Sequence, residues 1–182
     1  MILGLIGLPG TGKGTIAEIL RKKFDAEVYL MSDPLWKILK ALQLEPTREH
    51  VAALSLSIKQ NGGEYFLAEA LRLHVATAKP LLVIDGIRRL ADIAPIRSRP
   101  DFHLVGVQAP FTMRLERLRR RRRDPMEGRL TPKTLHQQDM HPNESEVPTL
   151  LSKCAYTILN NDTRQHLENL VSHYLKTFQQ KT

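Results

Sequence analysis

Residues Gly7 to Thr15 read GLPGTGKGT and directly follow a short apolar run, Ile2 to Ile6. Glycines lack the Cβ atoms that would stop the backbone from curling around a polyphosphate with its N–H groups turned inward. Lys13 adds a mobile positive charge that can reach the β- and γ-phosphates. A helix-forming stretch follows, and the positive end of a helix favours phosphate. The pattern predicts a nucleotide-binding phosphate loop that comprises Gly7, Leu8, Pro9, Gly10, Thr11, Gly12, Lys13, Gly14 and Thr15.

Two residues are candidates for Mg²⁺, Thr15 and Asp85. Gly14 stands where a Ser or Thr usually follows the loop lysine, and the hydroxyl comes one position later, at Thr15. We therefore expect the loop to hold the metal less directly, in part through water. Asp85 ends the apolar run Leu81 to Ile84, so a buried strand would deliver its carboxylate to the edge of the sheet where α/β proteins bind ligands. Capping of a turn is the ordinary alternative for Asp85.

Acceptor-side candidates follow two of the predicted strands. Arg88 and Arg89 come soon after Asp85, and a guanidinium suits a second phosphate group, although a surface ion pair is the alternative. Asp33 follows the run Glu27 to Met31 and is a candidate to contact the acceptor or to act as a base. Helix capping ahead of Pro34 is the other interpretation of Asp33 and does not exclude such a role.

Five consecutive arginines occupy positions 119 to 123. They cannot share one face of a helix, so at most two or three can point at one site. Arginines that close over a transferring phosphoryl group are the favoured interpretation. Contacts to nucleic-acid phosphates and a solvated helix end are the alternatives. The net charge is +8, and residues 114 to 129 supply +5 of it, so the basicity is local and nucleic acid is the less favoured partner.

Short apolar runs alternate with helical patterns along the 182 residues. This alternation predicts one domain, a three-layer α/β/α fold with a five-stranded parallel sheet. The last helix has a clear apolar stripe, with Asp162 or Thr163 as its N-cap. The predicted strands are Ile2–Ile6, Glu27–Met31, Leu81–Ile84, His103–Val107 and Tyr156–Leu159.

Two longer segments interrupt this alternation. Residues 33–78 read as two or three helices, with Thr47 as a helix cap and a break at Asn61-Gly62-Gly63. Residues 119–145 are charged and contain several prolines, so we expect a mobile flap outside the core.

Composition bounds the location of the protein. No apolar run approaches the roughly 20 residues that span a bilayer, and a cleaved leader would remove the phosphate loop. The single cysteine, Cys154, suits a reducing compartment and is expected to be a packed apolar residue instead of a nucleophile. We expect a cytoplasmic protein without membrane contact, as a monomer or a homodimer.

The phosphate loop, the run Asp85 to Arg88 and the arginine-rich segment together resemble the nucleoside monophosphate kinase superfamily, essentially from end to end. Within it the chain looks most like small adenylate-kinase-related P-loop proteins, and it is also similar to dephospho-CoA kinase. The resemblance implies ATP and Mg²⁺ as cofactors. It also implies a core of residues 1–32, 79–118 and 146–182, an acceptor-binding insertion (33–78) and a lid (119–145).

The resemblance also implies roles for single residues. Lys13 would hold the ATP phosphates, Asp85 would serve Mg²⁺, and Arg88 would face the acceptor. The lid pattern falls on Arg117 and Arg121, with Arg123 close behind, and Asn160 would lie near the ATP base. The acceptor side departs from the family, since Trp36 and Ile58 stand near positions where arginines are expected and Gln138 replaces the arginine of an Arg-Asp pair.

These observations predict phosphoryl transfer from ATP to a nucleotide-like small molecule, a nucleoside or deoxynucleoside monophosphate. One alternative is transfer to a hydroxyl, as in dephospho-CoA kinase, with Asp33 as the base. Another is a P-loop ATPase or nucleotide switch that acts on an RNA or protein partner.

Overall fold

The computed structural model describes residues 1–45, 47–63, 65–121 and 127–179. The strands are β1 (Ile2–Ile6), β2 (Glu27–Leu30), β3 (Leu82–Asp85), β4 (Phe102–Gln108) and β5 (Tyr156–Leu159). The α-helices of the described residues are α1 (Lys13–Phe24), α2 (Asp33–Ala41), α3 (Arg48–Gln60), α4 (Phe66–Val75), α5 (Phe111–Arg121), α6 (Pro132–Asp139), α7 (Val147–Ser152) and α8 (Arg164–Gln179).

The five strands form one parallel sheet in the order β2-β3-β1-β4-β5. All five residues of β1 are buried, because β1 lies in the middle of the sheet and helices cover both faces. Each predicted strand is present, with its bounds shifted by no more than one residue. The shift of β3 matters for the site, since Asp85 is itself the last residue of that strand.

The two faces of the sheet carry separate apolar clusters. Leu3 and Leu5 of β1 pack with helices α1 and α8 on one face. Ile2 and Ile6 pack on the other face with α4, α7 and the 3₁₀ turn Leu90–Ile93. This alternation follows from the two-residue period of a strand and gives the predicted three layers.

Local signals in the sequence set several helix ends. Thr47 caps α3, because its hydroxyl oxygen accepts the N–H of His50 at 3.1 Å. Thr163, and not Asp162, caps α8 through the N–H of His166 at 3.2 Å. Helix α3 ends before Gly62, whose φ of 87° is a left-handed conformation that glycine adopts readily.

Two leucines in the described part of the predicted lid are buried, although the sequence suggested an unpacked segment. Leu130 and Leu135 are buried and pack against Leu115 and Leu118 of α5 in a third apolar cluster. These residues are therefore packed, in a small cluster separate from the two on the faces of the sheet. They bury apolar area against the helix that precedes them.

Within the described residues, no helix is both long and apolar enough to cross a membrane. Cys154 packs beside α7 and its thiol donates to the carbonyl oxygen of Leu150 at 3.4 Å. Burial raises the pKa of the Cys154 thiol to about 11. Since the thiolate is the reactive form, this confirms the interpretation of Cys154 as a packed residue.

Candidate active site

The phosphate loop connects β1 to α1 at the carboxyl edge of the sheet. Gly12 is the N-cap of α1 with a φ of 103°. A Cβ atom at this position would lie 2.2 Å from the side-chain nitrogen of Asn160. Both the backbone conformation and the available space therefore require glycine here. The hydroxyl of Thr11 adds a bond to the carbonyl oxygen of Leu8 at 2.9 Å, within the loop.

Lys13 is the first residue of α1 and its ammonium group lies over the loop. It donates to the carbonyl oxygens of Gly7 at 2.6 Å and Leu8 at 3.2 Å. Burial lowers the pKa of Lys13, and the carboxylates of Asp85 and Glu144 act in the opposite direction. The structure thus brings the loop lysine together with Asp85, as the sequence predicted, and with a glutamate that it did not.

Arg114 supports the loop from α5. Its side chain is almost fully buried and donates to the carbonyl oxygen of Pro9 at 3.1 Å. It also makes a two-point ion pair with Asp139, at 2.9 and 2.6 Å. Sequence reasoning missed this role, although a signal exists. Arg114 falls on the apolar stripe of α5 between Phe111 and Leu118, where a charged residue requires a buried partner.

Asn160 also supports the loop. Its side-chain amide donates to the carbonyl oxygen of Thr11 at 2.8 Å. Arg117 holds Asn160 in turn, through the backbone oxygen at 3.0 Å and the side-chain oxygen at 3.2 Å. The side chain expected near the ATP base therefore serves the loop itself. Its neighbours Leu159 and Asn161 line a mainly apolar cavity of about 390 Å³ beside the loop, which is a candidate space for the base.

Asp85 lies at the end of β3 with its Oδ1 accepting the N–H of Gly86 at 2.8 Å. Thr15 lies in the first turn of α1. The described residues contain no cluster of three His, Cys, Asp or Glu side chains suited to a metal ion. Kinase Mg²⁺ is usually bound through one or two carboxylates, water and the substrate phosphates. Asp85 and Thr15 remain the candidates for a site of that kind.

The structure distinguishes Arg88 from Arg89. Arg89 donates to Asp92 at 3.1 and 2.8 Å and caps the following 3₁₀ turn. The guanidinium of Arg88 is half exposed and lies 2.9 Å from a carboxylate oxygen of Glu144. Its charge also acts on Lys13. Arg88 is therefore the candidate arginine for the site, and Arg89 holds the following turn through Asp92.

Glu144 is a site residue that the sequence analysis did not find. It ends the 3₁₀ turn Pro142–Glu144 and is buried. Burial raises the pKa of Glu144, while the positive charges of Arg88 and Lys13 lower it. Glu144 belongs to no recognisable sequence motif. It reaches the site only because the chain returns there after α6.

The arginine run divides into different roles. Arg119 donates to the carbonyl oxygen of Leu130 at 2.7 Å and ties α5 to the rest of the lid. Arg120 pairs with Glu116 on the surface of α5. The charge of Arg121 acts on Lys13, as expected for a lid arginine near the phosphates. The predicted site residue Arg123 lies outside the described residues.

Asp33 has a local hydrogen bond at the start of α2. Its Oδ2 accepts the N–H of Leu30 at 3.1 Å, and Leu30 belongs to β2 and not to the first turn of α2. The N-cap of α2 is Ser32, without a side-chain capping bond, so the structure does not bear out helix capping by Asp33. The hydroxyl of nearby Ser32 accepts the indole N–H of Trp36 at 3.2 Å. On the acceptor side, Trp36 thus contacts a neighbouring side chain where an arginine was expected.

A family model described as an AAA domain matches residues 6–129. A UPF0200 protein of Aeropyrum pernix is 31% identical over 170 residues, which cover 92% of this chain and 88% of the relative. A UPF0200 protein of Methanoculleus marisnigri is 31% identical over 140 residues, or 76% of this chain and 75% of the relative.

Solved structures share the fold. Shikimate kinase from Acinetobacter baumannii, in complex with shikimate, has a TM-score of 0.60 at 14% identity and covers 100% of this chain and 94% of that one. TT1252 from Thermus thermophilus has a TM-score of 0.64 at 17% identity, with coverage of 100% and 97%. At these identities the similarity shows the fold alone. Together with the family match, it confirms the resemblance to small P-loop kinases.

Proposed function

This chain belongs to the AAA domain family and to the UPF0200 proteins, and we propose that it transfers the γ-phosphoryl group of ATP to a small, nucleotide-like acceptor. One observation carries this proposal. Lys13 lies on the carbonyls of the phosphate loop, and Asp85 ends the neighbouring strand β3. The charges of Asp85 and Arg88 both act on Lys13. Phosphoryl transfer needs such a set, because catalysis depends on positioning and on neutralising charge.

The phosphate loop would bind the ATP phosphates through its backbone N–H groups and the start of α1. The ammonium group of Lys13 donates to two carbonyl oxygens of the loop. A γ-phosphate could accept these hydrogen bonds in their place, without a change in the backbone. Asp85 and Thr15 would hold Mg²⁺, which neutralises charge on the phosphate oxygens when it is bound. The half-exposed guanidinium of Arg88 would face the acceptor.

Arg121 would cover the phosphates of ATP, and Arg123 is a further candidate from the same run of arginines. The charge of Arg121 acts on Lys13. Arginines on a lid stabilise the negative charge of the transition state, and closure of the lid keeps water away from the phosphoryl group. This arrangement favours transfer to an acceptor over hydrolysis.

The test is a screen of ADP formation with ribo- and deoxynucleoside monophosphates and with dephospho-CoA, with Lys13→Ala as the blank. The proposal expects one acceptor class to raise ADP formation by the wild type well above its acceptor-free rate. If ADP formation instead responds only to RNA or to a protein partner, with no acceptor phosphorylated, the chain is an ATPase or switch and the kinase proposal is wrong.

A further inference from the structure

Glu144 is a buried carboxylate that faces the cations of the proposed site, with only 6% of its surface exposed. Its nearest charged neighbour is Arg88, at 2.9 Å. The other titratable groups that act on it are Lys13, Asp139 and His141. None of the sequence motifs includes this residue, so its position requires an explanation of its own.

The segment that carries Glu144 is hydrogen-bonded to the segment that carries Arg88. The carboxylate of Glu146 accepts the backbone N–H of Leu90 at 3.1 Å, two residues after Arg88. The turn therefore places Glu144 against Arg88 through a bond that does not involve either of their side chains. The pair is built into the fold and is not a chance contact of two long side chains.

Both arginines after Asp85 already face a carboxylate, Arg88 facing Glu144 and Arg89 facing Asp92. A phosphate dianion brought to Arg88 would have to lie against the buried charge of Glu144. Like charges at short range in a partly buried site oppose binding. A hydroxyl group carries no charge and can donate its hydrogen bond to the carboxylate.

We propose that Glu144 makes the acceptor site select a hydroxyl group, with the carboxylate of Glu144 binding that hydroxyl and accepting its proton. This inference rests on the proposed kinase function and names the reacting group of its acceptor. A nucleotide-like molecule with a free sugar hydroxyl fits it, and a monophosphate that reacts through its phosphate does not.

The hydroxyl oxygen forms a bond to the γ-phosphorus of ATP while the bond from that phosphorus to the β–γ bridging oxygen breaks. The proton of the hydroxyl passes to Glu144, and ADP leaves with the electron pair on its terminal oxygen. Burial raises the pKa of Glu144, which makes it a better proton acceptor than an exposed glutamate. Arg88 holds the carboxylate in place.

The first arm of the test measures binding. Calorimetry with AMP and with inorganic phosphate, in the presence of ADP and Mg²⁺, compares the wild type with Glu144→Gln, which keeps the size of the side chain. We expect the variant to bind both probes about tenfold more tightly, since Arg88 no longer faces a charge. Glu144→Asp should keep the weak binding of the wild type. Equal affinity of the wild type and Glu144→Gln would overturn the proposal.

The second arm measures transfer of label from γ-labelled ATP to dephospho-CoA, nucleosides and nucleoside monophosphates. We expect label only on hydroxyl acceptors, with kcat about 10²-fold lower or worse in Glu144→Gln and ATP affinity unchanged. Glu146→Gln, two residues after Glu144, should keep the preference for hydroxyls whatever its rate. Transfer by the wild type to the phosphate group of a nucleoside monophosphate, which gives a nucleoside diphosphate, would refute the role of Glu144 while leaving the kinase function intact. Absence of ATP binding by the wild type would refute the kinase function itself.

Discussion

The side-chain amide of Asn160 donates a 2.8 Å hydrogen bond to the carbonyl oxygen of Thr11. Arg117 holds Asn160 from α5, so the turn after β5, the phosphate loop and α5 form one connected unit. The loop conformation therefore depends on a residue about 150 positions away in sequence.

Asn160→Ala should weaken ATP binding by about tenfold, because the buried carbonyl of Thr11 loses its donor and the loop relaxes. The measurement is calorimetry with ATP and Mg²⁺. Asn169→Ala is the matched control, since its side chain is exposed on α8. Unchanged ATP affinity in Asn160→Ala would show that the loop holds its shape without this bond.

Gly12→Ala should abolish ATP binding. Its Cβ would lie 2.2 Å from the side chain of Asn160 at a residue with a φ of 103°, so the loop must change shape. Gly62→Ala is the control for backbone strain alone, since Gly62 has a φ of 87° and no atom within 4 Å of the added carbon. It should lose roughly 1 kcal/mol of stability and keep its ATP affinity. Equal ATP binding by both variants would contradict this account of the loop.

Lys13→Met should lose activity and yet unfold at a higher temperature than the wild type near pH 7.5. Burial lowers the pKa of Lys13 below its usual 10.5, so the unfolded chain takes up a proton before the folded chain does. The charged lysine therefore reduces stability as the pH falls through and below 10.5.

The gain in unfolding temperature of Lys13→Met should shrink as the pH approaches 10.5, where the lysine is increasingly neutral in both states. Thermal unfolding at several pH values measures it. Lys22→Met, at an exposed lysine paired with Glu18, is the control and should show little change. If Lys13→Met is less stable than the wild type at every pH, the buried charge of Lys13 does not reduce the stability of the folded state.

Arg88→Gln and Arg89→Gln should have different effects. The first should lower kcat/KM for the acceptor by about tenfold or more with ATP affinity unchanged, since Arg88 faces the acceptor side. The second should lower the unfolding temperature, because buried Asp92 loses its ion pair. Steady-state kinetics and thermal unfolding separate the two. The assignment fails if Arg89→Gln is the variant that loses acceptor kinetics.

The sequence was sufficient for most of the fold. Apolar runs and turn residues predicted five parallel strands to within a residue, and Thr47 and Gly62 marked the ends of helix α3. These features depend on local backbone preference and on the period of side chains along a strand. The phosphate loop could also be predicted, because the residues that form it are consecutive in the sequence.

Contacts between segments far apart in the chain could not be predicted from the sequence in this way. The pair of Arg114 with Asp139 and the pair of Arg88 with Glu144 each join residues far apart in the chain. Nothing in the spacing of these residues states which partner each charge will meet. The same limit applies to Leu130 and Leu135, which pack against α5 although their segment is charged and proline-rich.

The most direct test of the central claim follows the γ-phosphorus of ATP by ³¹P NMR, with wild type and Lys13→Met side by side. The acceptor mixture contains dephospho-CoA, nucleosides and nucleoside monophosphates. We predict that the wild type forms ADP together with a new phosphorylated product of one acceptor, and that the variant forms neither. Formation of ADP and inorganic phosphate alone, at a rate that no acceptor changes, would contradict the assignment of this protein as a kinase.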